Sequence, residues 1–218
     1  MLATRLITRI REQLQSEIEL KQMFLAPTVK ALSALIDGKA KASQGESIQA
    51  IPRDADLPLS FAQQRLWFLH KLMPDSSLYN VPWAMRLDGN INTEALQQAT
   101  NKLLARHESL HTRFTEIAGE PMQYLAKDAE IHLSILDLQL ESASEVKQKL
   151  TTLSQKVFSL DTAPLLRVHL LRDREDSQIL LFVIHHIIAD AWSLGLMFEE
   201  LMTLYAAAVS YTHLKLPT

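Results

Sequence analysis

Residues 179–192 read ILLFVIHHIIADAW. Six apolar residues in succession suit a strand covered on both faces, and the run stops at two adjacent histidines, His185 and His186. Side chains along a strand alternate between faces. In an extended chain the two imidazoles therefore diverge, one toward a site and the other toward a packed interior. Asp190 follows His186 by four residues and stands directly before an apolar helical pattern over residues 191–209. There its carboxylate can accept from the free amides near Ser193, an ordinary capping role.

Residues 165–171 form a second strand-like run, separated from the first by the polar turn 172–177, which predicts a hairpin. Upstream, the spacing predicts helices over 61–73, 92–106 (with Asn92 as cap) and 141–157. Strands are predicted over 81–87 and 131–136. This mixed order predicts an α/β (α+β two-layer) architecture, a sheet covered by helices. Nearer the amino terminus, Leu2, Leu6, Ile7, Ile10 and Leu14 make one helical stripe. A short helix follows Pro27 and Thr28 and runs to Gly38. Residues 38–56 turn to small and polar types, the composition of a linker.

The 218 residues are 47% hydrophobic and 22% charged, enough apolar material for a real core, so a disordered tail is excluded. A formal charge of −3, with no block of like charge, gives no reason to expect nucleic acid or anionic lipid as a partner. The longest apolar run is far shorter than the roughly 20 residues a bilayer requires, so no membrane partner is expected. Arg5, Arg9 and Arg11 imitate a transit peptide, but Glu12, Glu17 and Glu19 follow at once. Zero cysteines remove disulfides, thiolate metal sites and a cysteine nucleophile together, and fit a cytoplasmic protein.

Several chemistries fit the strand-turn-helix poorly. Adjacent histidines splay apart, and no His sits at four-residue helical spacing beside an acid, so no metal is expected. No G-x-S-x-G elbow supports a serine hydrolase, and five glycines leave no phosphate-cradling loop. On spacing alone, the commonest role for such a pair is a hydrogen-bonded histidine closing a core strand.

Three segments carry a more specific signal: LPLSFAQQRLWFLHKL at 57–72, RHESLHTRF at 106–114 and HHIIADAWS at 185–193. In order and spacing they resemble the first three signature motifs of the condensation domain of nonribosomal peptide synthetases. YNVPWAMRLDG at 79–89 is similar to that family too. The first motif is closest to the subtype joining an L-configured donor to an L-configured acceptor. The amino-terminal ATRLITRIREQLQSEIELKQMFLAPTVKALSALI resembles the second half of a peptidyl carrier domain.

The resemblance implies a chloramphenicol-acetyltransferase-like N-terminal lobe over residues 57–210, preceded by a partial carrier helical bundle (1–37) and the linker 38–56. Residues 211–218, YTHLKLPT, match nothing expected after the last helix and read as a non-native or frayed end. The pantetheine-bearing serine of a carrier would lie upstream of residue 1, so no cofactor is expected to bind this chain directly. Substrates would arrive on the phosphopantetheine arms of upstream and downstream carrier domains, and a C-terminal lobe would complete the domain.

By the same resemblance, His186 is the catalytic residue of a peptide-bond-forming acyl transfer, as base or as a group that positions the amine. Asp190 is structural and pairs with an arginine of the second motif, for which Arg106 is the first choice. The later arginine of that motif is His111 here, so Arg113 would have to serve if the pairing relied on it. His185 would brace the motif from the other face of the strand. In the first motif, Phe61, Leu66, Trp67 and Leu69 are expected in the core, and Gln63, Gln64 and Arg65 at the surface or tunnel mouth. His70, His107, His132, His169 and His213 receive no role. Two other readings share the pattern: a coenzyme-A-dependent acyltransferase with an HxxxD motif, and a non-catalytic protein-binding lobe.

Overall fold

The computed structural model describes residues 2–38, 51–53 and 57–210. The predicted tail, with His213, and most of the predicted linker lie outside the described residues. Contacts divide the chain into two units, Met1–Pro52 and Arg53–Thr218.

The first unit holds three helices, α1 (Leu2–Leu14), α2 (Leu20–Leu25) and α3 (Val29–Asp37). Ile10, Ile18 and Ala26 are its buried apolar side chains among the described residues. Thr28 caps α3 by accepting from the Ala31 amide at 3.2 Å, as the Pro27-Thr28 signal predicted. The six-residue α2 was not foreseen, because one and a half turns carry too little periodicity to register.

The second unit is built on a four-stranded sheet in the order β2-β7-β6-β5: Asn80–Asp88, Ser177–His185, Leu166–Arg172 and Ser134–Asp137. β2-β7 and β6-β7 are antiparallel, and β5 joins β6 in parallel. All nine residues of β7 are buried, which is why the run Ile179 to Ile184 within it is continuously apolar rather than alternating. β2, at an edge, alternates instead: Trp83, Met85 and Leu87 turn inward while Pro82, Ala84 and Arg86 are exposed. Helices cover both faces. Phe198 of α7 (Ala191–Ser210) meets Trp83 edge-on at 5.3 Å, and α5 (Thr93–Arg106) packs along α7. On the other face, Leu150 of α6 (Ala143–Ser154) approaches Ala84 and Leu181 across a cleft of about 520 Å³. Asn92 caps α5 through the Ala95 amide, as predicted.

The sheet departs from the sequence reading in places with identifiable causes. The strand expected over 131–136 is β5 alone. Gln97 of α5 takes the backbone upstream of it, donating to the Ile131 carbonyl at 2.6 Å and accepting from the Leu133 amide at 2.7 Å. The helix expected to reach Val157 ends at Ser154, and the carbonyls of Lys156 and Val157 beyond it accept from side chains of β2 and β6. A second, three-stranded sheet, β1-β4-β3 (Leu57–Pro58, Glu120–Leu125, Thr112–Ile117), was not foreseen at all. Its β3-β4 turn is Ala118-Gly119, with φ of 51° and 87°, the two positive values of a type I′ hairpin.

Candidate functional site

β7 delivers the two histidines and ends on the first. The turn that follows is held by several backbone hydrogen bonds. The His185 amide donates to Leu165 O at 3.0 Å and the His186 amide to Tyr79 O at 2.8 Å, while Ile188 N–H closes the turn on His185 O at 3.1 Å. Ile187 N–H donates to Nδ1 of His185 at 3.2 Å, and Ile187 O receives a long bond, 3.5 Å, from Gln63 of α4 (Phe61–Leu72). Gln63 was expected only at the surface or tunnel mouth, and its reach to this turn was missed. The signal lay in the capping box it forms with Ser60, which fixes the side chain at the helix start.

The imidazoles diverge. His185 is 3% exposed, with the rings of His70 (6.0 Å), Phe158 (6.2 Å) and Tyr79 (6.4 Å) around it. Burial pushes its pKa down to about 4, with the neighbouring His70 and His186 adding to the shift. Nδ1 accepts the Ile187 amide, so the ring is neutral with its proton on Nε2. His186 is exposed, and its Nδ1 lies 2.8 Å from Ala189 O. A carbonyl only accepts, so Nδ1 carries the proton in the neutral ring and the lone pair sits on Nε2. The Nε2 lone pair of this exposed ring can accept a hydrogen bond or a proton from a ligand amine or alcohol.

Asp190 begins α7. Its Oδ1 accepts from the Ser193 hydroxyl at 2.6 Å and the Ser193 amide at 2.8 Å, and these bonds hold the carboxyl below its ordinary range. Its expected partner Arg106, at the end of α5, pairs with Glu200 of α7 at 3.4 Å, and His107 reaches the same Glu200 oxygen. Asp190 thus makes a capping bond, and Arg106 takes part in an α5-α7 tie. The physical reason is local: Ser193 lies one helical turn away and satisfies the carboxylate with two donors. Arg113, the substitute, sits on the exposed side of β3, where its field reaches Asp161. Asp190→Ala is expected to cost about 1 kcal/mol of stability, with Asp190→Ser recovering most of it, by urea denaturation. An alanine variant as stable as the parent would contradict the capping role.

Of the first-motif residues, Leu66 and Trp67 pack against the core, and Leu69 is half-buried. Phe61, expected inside, is 91% exposed, because α4 lies on the rim and buries none of its residues fully. Among the described residues no three His, Asp or Glu side chains gather as a metal site, and no helix is long and apolar enough to cross a membrane.

The sequence profile of the Condensation domain family matches residues 54–218. The chain belongs to that family. It is 39% identical over 216 residues to one of the linear gramicidin synthase proteins of Brevibacillus parabrevis, covering 95% of this chain and 3% of that protein. It is 38% identical over 207 residues to a dimodular nonribosomal peptide synthase of Bacillus subtilis, covering 95% of this chain and 9% of that one. The condensation chain therefore spans less than a tenth of either relative. Among solved structures, the starter condensation domain of rhizomide synthetase RzmA superposes with a TM-score of 0.71 at 20% identity, covering 75% of this chain and 40% of that one. The first condensation domain of the calcium-dependent antibiotic synthetase, solved with a substrate analogue, gives 0.71 at 21% identity, covering 76% and 40%. The α/β fold of residues 57–210 is thus the condensation-domain fold.

Proposed function

We propose that this chain supplies one lobe of a peptide synthetase's condensation domain, in which His186 serves amide formation between two carrier-borne thioesters. The observation that carries this reading is the exposed His186 ring, tethered through Nδ1 to Ala189 O, which leaves its lone pair on Nε2. The acceptor's amine nitrogen attacks the carbonyl carbon of the donor thioester, and the C–N bond forms as the C–S bond breaks. The proton shed by nitrogen passes through Nε2 to the departing thiolate. A thioester is already a reactive acyl donor, so holding the amine against it contributes much of the rate; an effective molarity of about 10⁵ M is worth roughly 7 kcal/mol.

The partners we propose are an upstream and a downstream carrier domain, whose phosphopantetheine arms bring the substrates, and a second lobe that completes the cleft. Trp192, 60% exposed, and Leu196, 49% exposed, on the first turns of α7 beyond His186, are apolar surface of the kind such a lobe would cover. We assign residues 1–37 to the end of a carrier domain and 38–56 to a linker, on the resemblance of their sequence, and a cytoplasmic location to the whole.

The test is reconstitution. The synthetase containing this sequence, given two carriers loaded with amino acids, is expected to yield the dipeptidyl thioester by mass spectrometry, while residues 1–218 alone yield none. Dipeptide formation at equal rates in the absence of the condensation region would overturn the assignment.

A further inference from the structure

The YN pair heading β2 belongs to the sequence motifs, yet the chemistry of His186 assigns its side chains no task. Tyr79 contributes its carbonyl to the His186 amide. Asn80 stands opposite His185 in the β2-β7 ladder, so the two side chains share a face. Its amide leaves the sheet and donates to Ser154 O at 2.8 Å and Lys156 O at 3.0 Å, just past the end of α6. Arg167 of β6 reaches the same segment, donating from Nη1 to Lys156 O at 2.6 Å and from Nη2 to Val157 O at 2.8 Å. Two strands thus converge on one carbonyl. Lys156 is exposed, so water could reach its carbonyl, while Ser154 and Val157 on either side are half-buried. Four donors directed at them fix where the segment lies, beyond merely solvating it.

What they fix is a strap, residues 154–158, ending in Phe158. That ring is 4% exposed and stands at 86° to His185, with the Arg167 guanidinium 3.7 Å from its centroid. The strap reaches the catalytic turn through His185, whose Nδ1 holds the Ile187 amide directly after His186. Hydrogen bonds weaken steeply as their angle closes, so the tilt of His185 governs that anchor.

We propose that Asn80 and Arg167 are positioning residues for His186: they clamp the strap so that Phe158 sets the tilt of His185, and His185 sets the turn. The proposal rests on the function assigned to His186 above. Misplacement by an ångström is enough to cost a large factor in rate while substrate binding is retained.

The test is a double-mutant cycle in the full synthetase. Asn80→Asp, which turns a double donor into a carboxylate facing two carbonyls, and Arg167→Gln are each expected to lower kcat about tenfold, with KM for both loaded carriers within about twofold. In a His186→Ala background neither is expected to slow the enzyme further, because there is no ring left to misplace. Losses that multiply in that background, or an unchanged kcat in the single variants, would overturn the proposal. Should Asn80→Asp fail to fold, Arg167→Gln carries the same test, and Arg167→Lys, which restores one donor to Lys156 O, is expected to recover part of the rate. A His186→Ala enzyme as fast as the parent would overturn both this proposal and the function it rests on. Failure of the strap alone leaves the His186→Ala defect in place.

Discussion

Replacing His186 with alanine in the full synthetase is expected to lower kcat for amide formation by about 10²-fold, the low end of what a positioned acid-base group contributes, and to leave KM within about twofold. The ring is exposed and bonds to its own turn through Nδ1, so its loss removes no core packing. The residual rate reflects what tethering of the substrates supplies by itself. Single-turnover rates with preloaded carriers check this, because they separate chemistry from carrier exchange. An alanine variant as fast as the parent would remove His186 from the mechanism.

Acid is expected to weaken the fold through His185. Its folded pKa of about 4 lies below the ordinary 6.5, so the native state favours the neutral ring. The stabilisation is complete above pH 6.5 and is lost as pH falls from there toward 4. The full shift corresponds to about 3 kcal/mol. Protonation also takes the lone pair that holds the Ile187 amide. His169 adds in the same direction: it is buried in β6 with neither ring nitrogen hydrogen-bonded, and burial lowers its pKa. Urea denaturation at half-unit intervals from pH 7 to 4.5 checks the slope. His185→Leu is expected to start about 1–3 kcal/mol lower at pH 7, with the Ile187 amide orphaned, and to fall less steeply in acid. Equal slopes for parent and variant would contradict the assignment.

Much of the fold was legible because its signals were local and periodic. The continuous apolar run of β7, the polar turn before it and the caps of α3 and α5 each announce themselves within a few residues. The divergence of His185 and His186 was expected from strand alternation, and it holds although β7 ends on His185 and His186 lies in the turn. What escaped depended on side chains from distant segments. Gln97 intercepts the backbone upstream of β5, and Asn80 with Arg167 takes the carbonyls at and beyond the end of α6, and neither contact has a signature in the segment it meets. The β3-β4 hairpin was hidden by Ala118, which gave no turn signal where asparagine would have given one. The capping of Asp190 by Ser193 was legible for the opposite reason, since the donor lies within one helical turn of the acid.

The proposed function depends on which ring nitrogen of His186 meets the acceptor amine. The most direct measurement is a crystal structure of the complete two-lobed domain with a non-hydrolysable aminoacyl-pantetheine amide bound on the acceptor side. The amine nitrogen is predicted at about 2.7–3.2 Å from His186 Nε2, with Nδ1 still on Ala189 O. An amine held elsewhere in the cleft, or a ring turned so that Nε2 faces the Ala189 carbonyl, would contradict it.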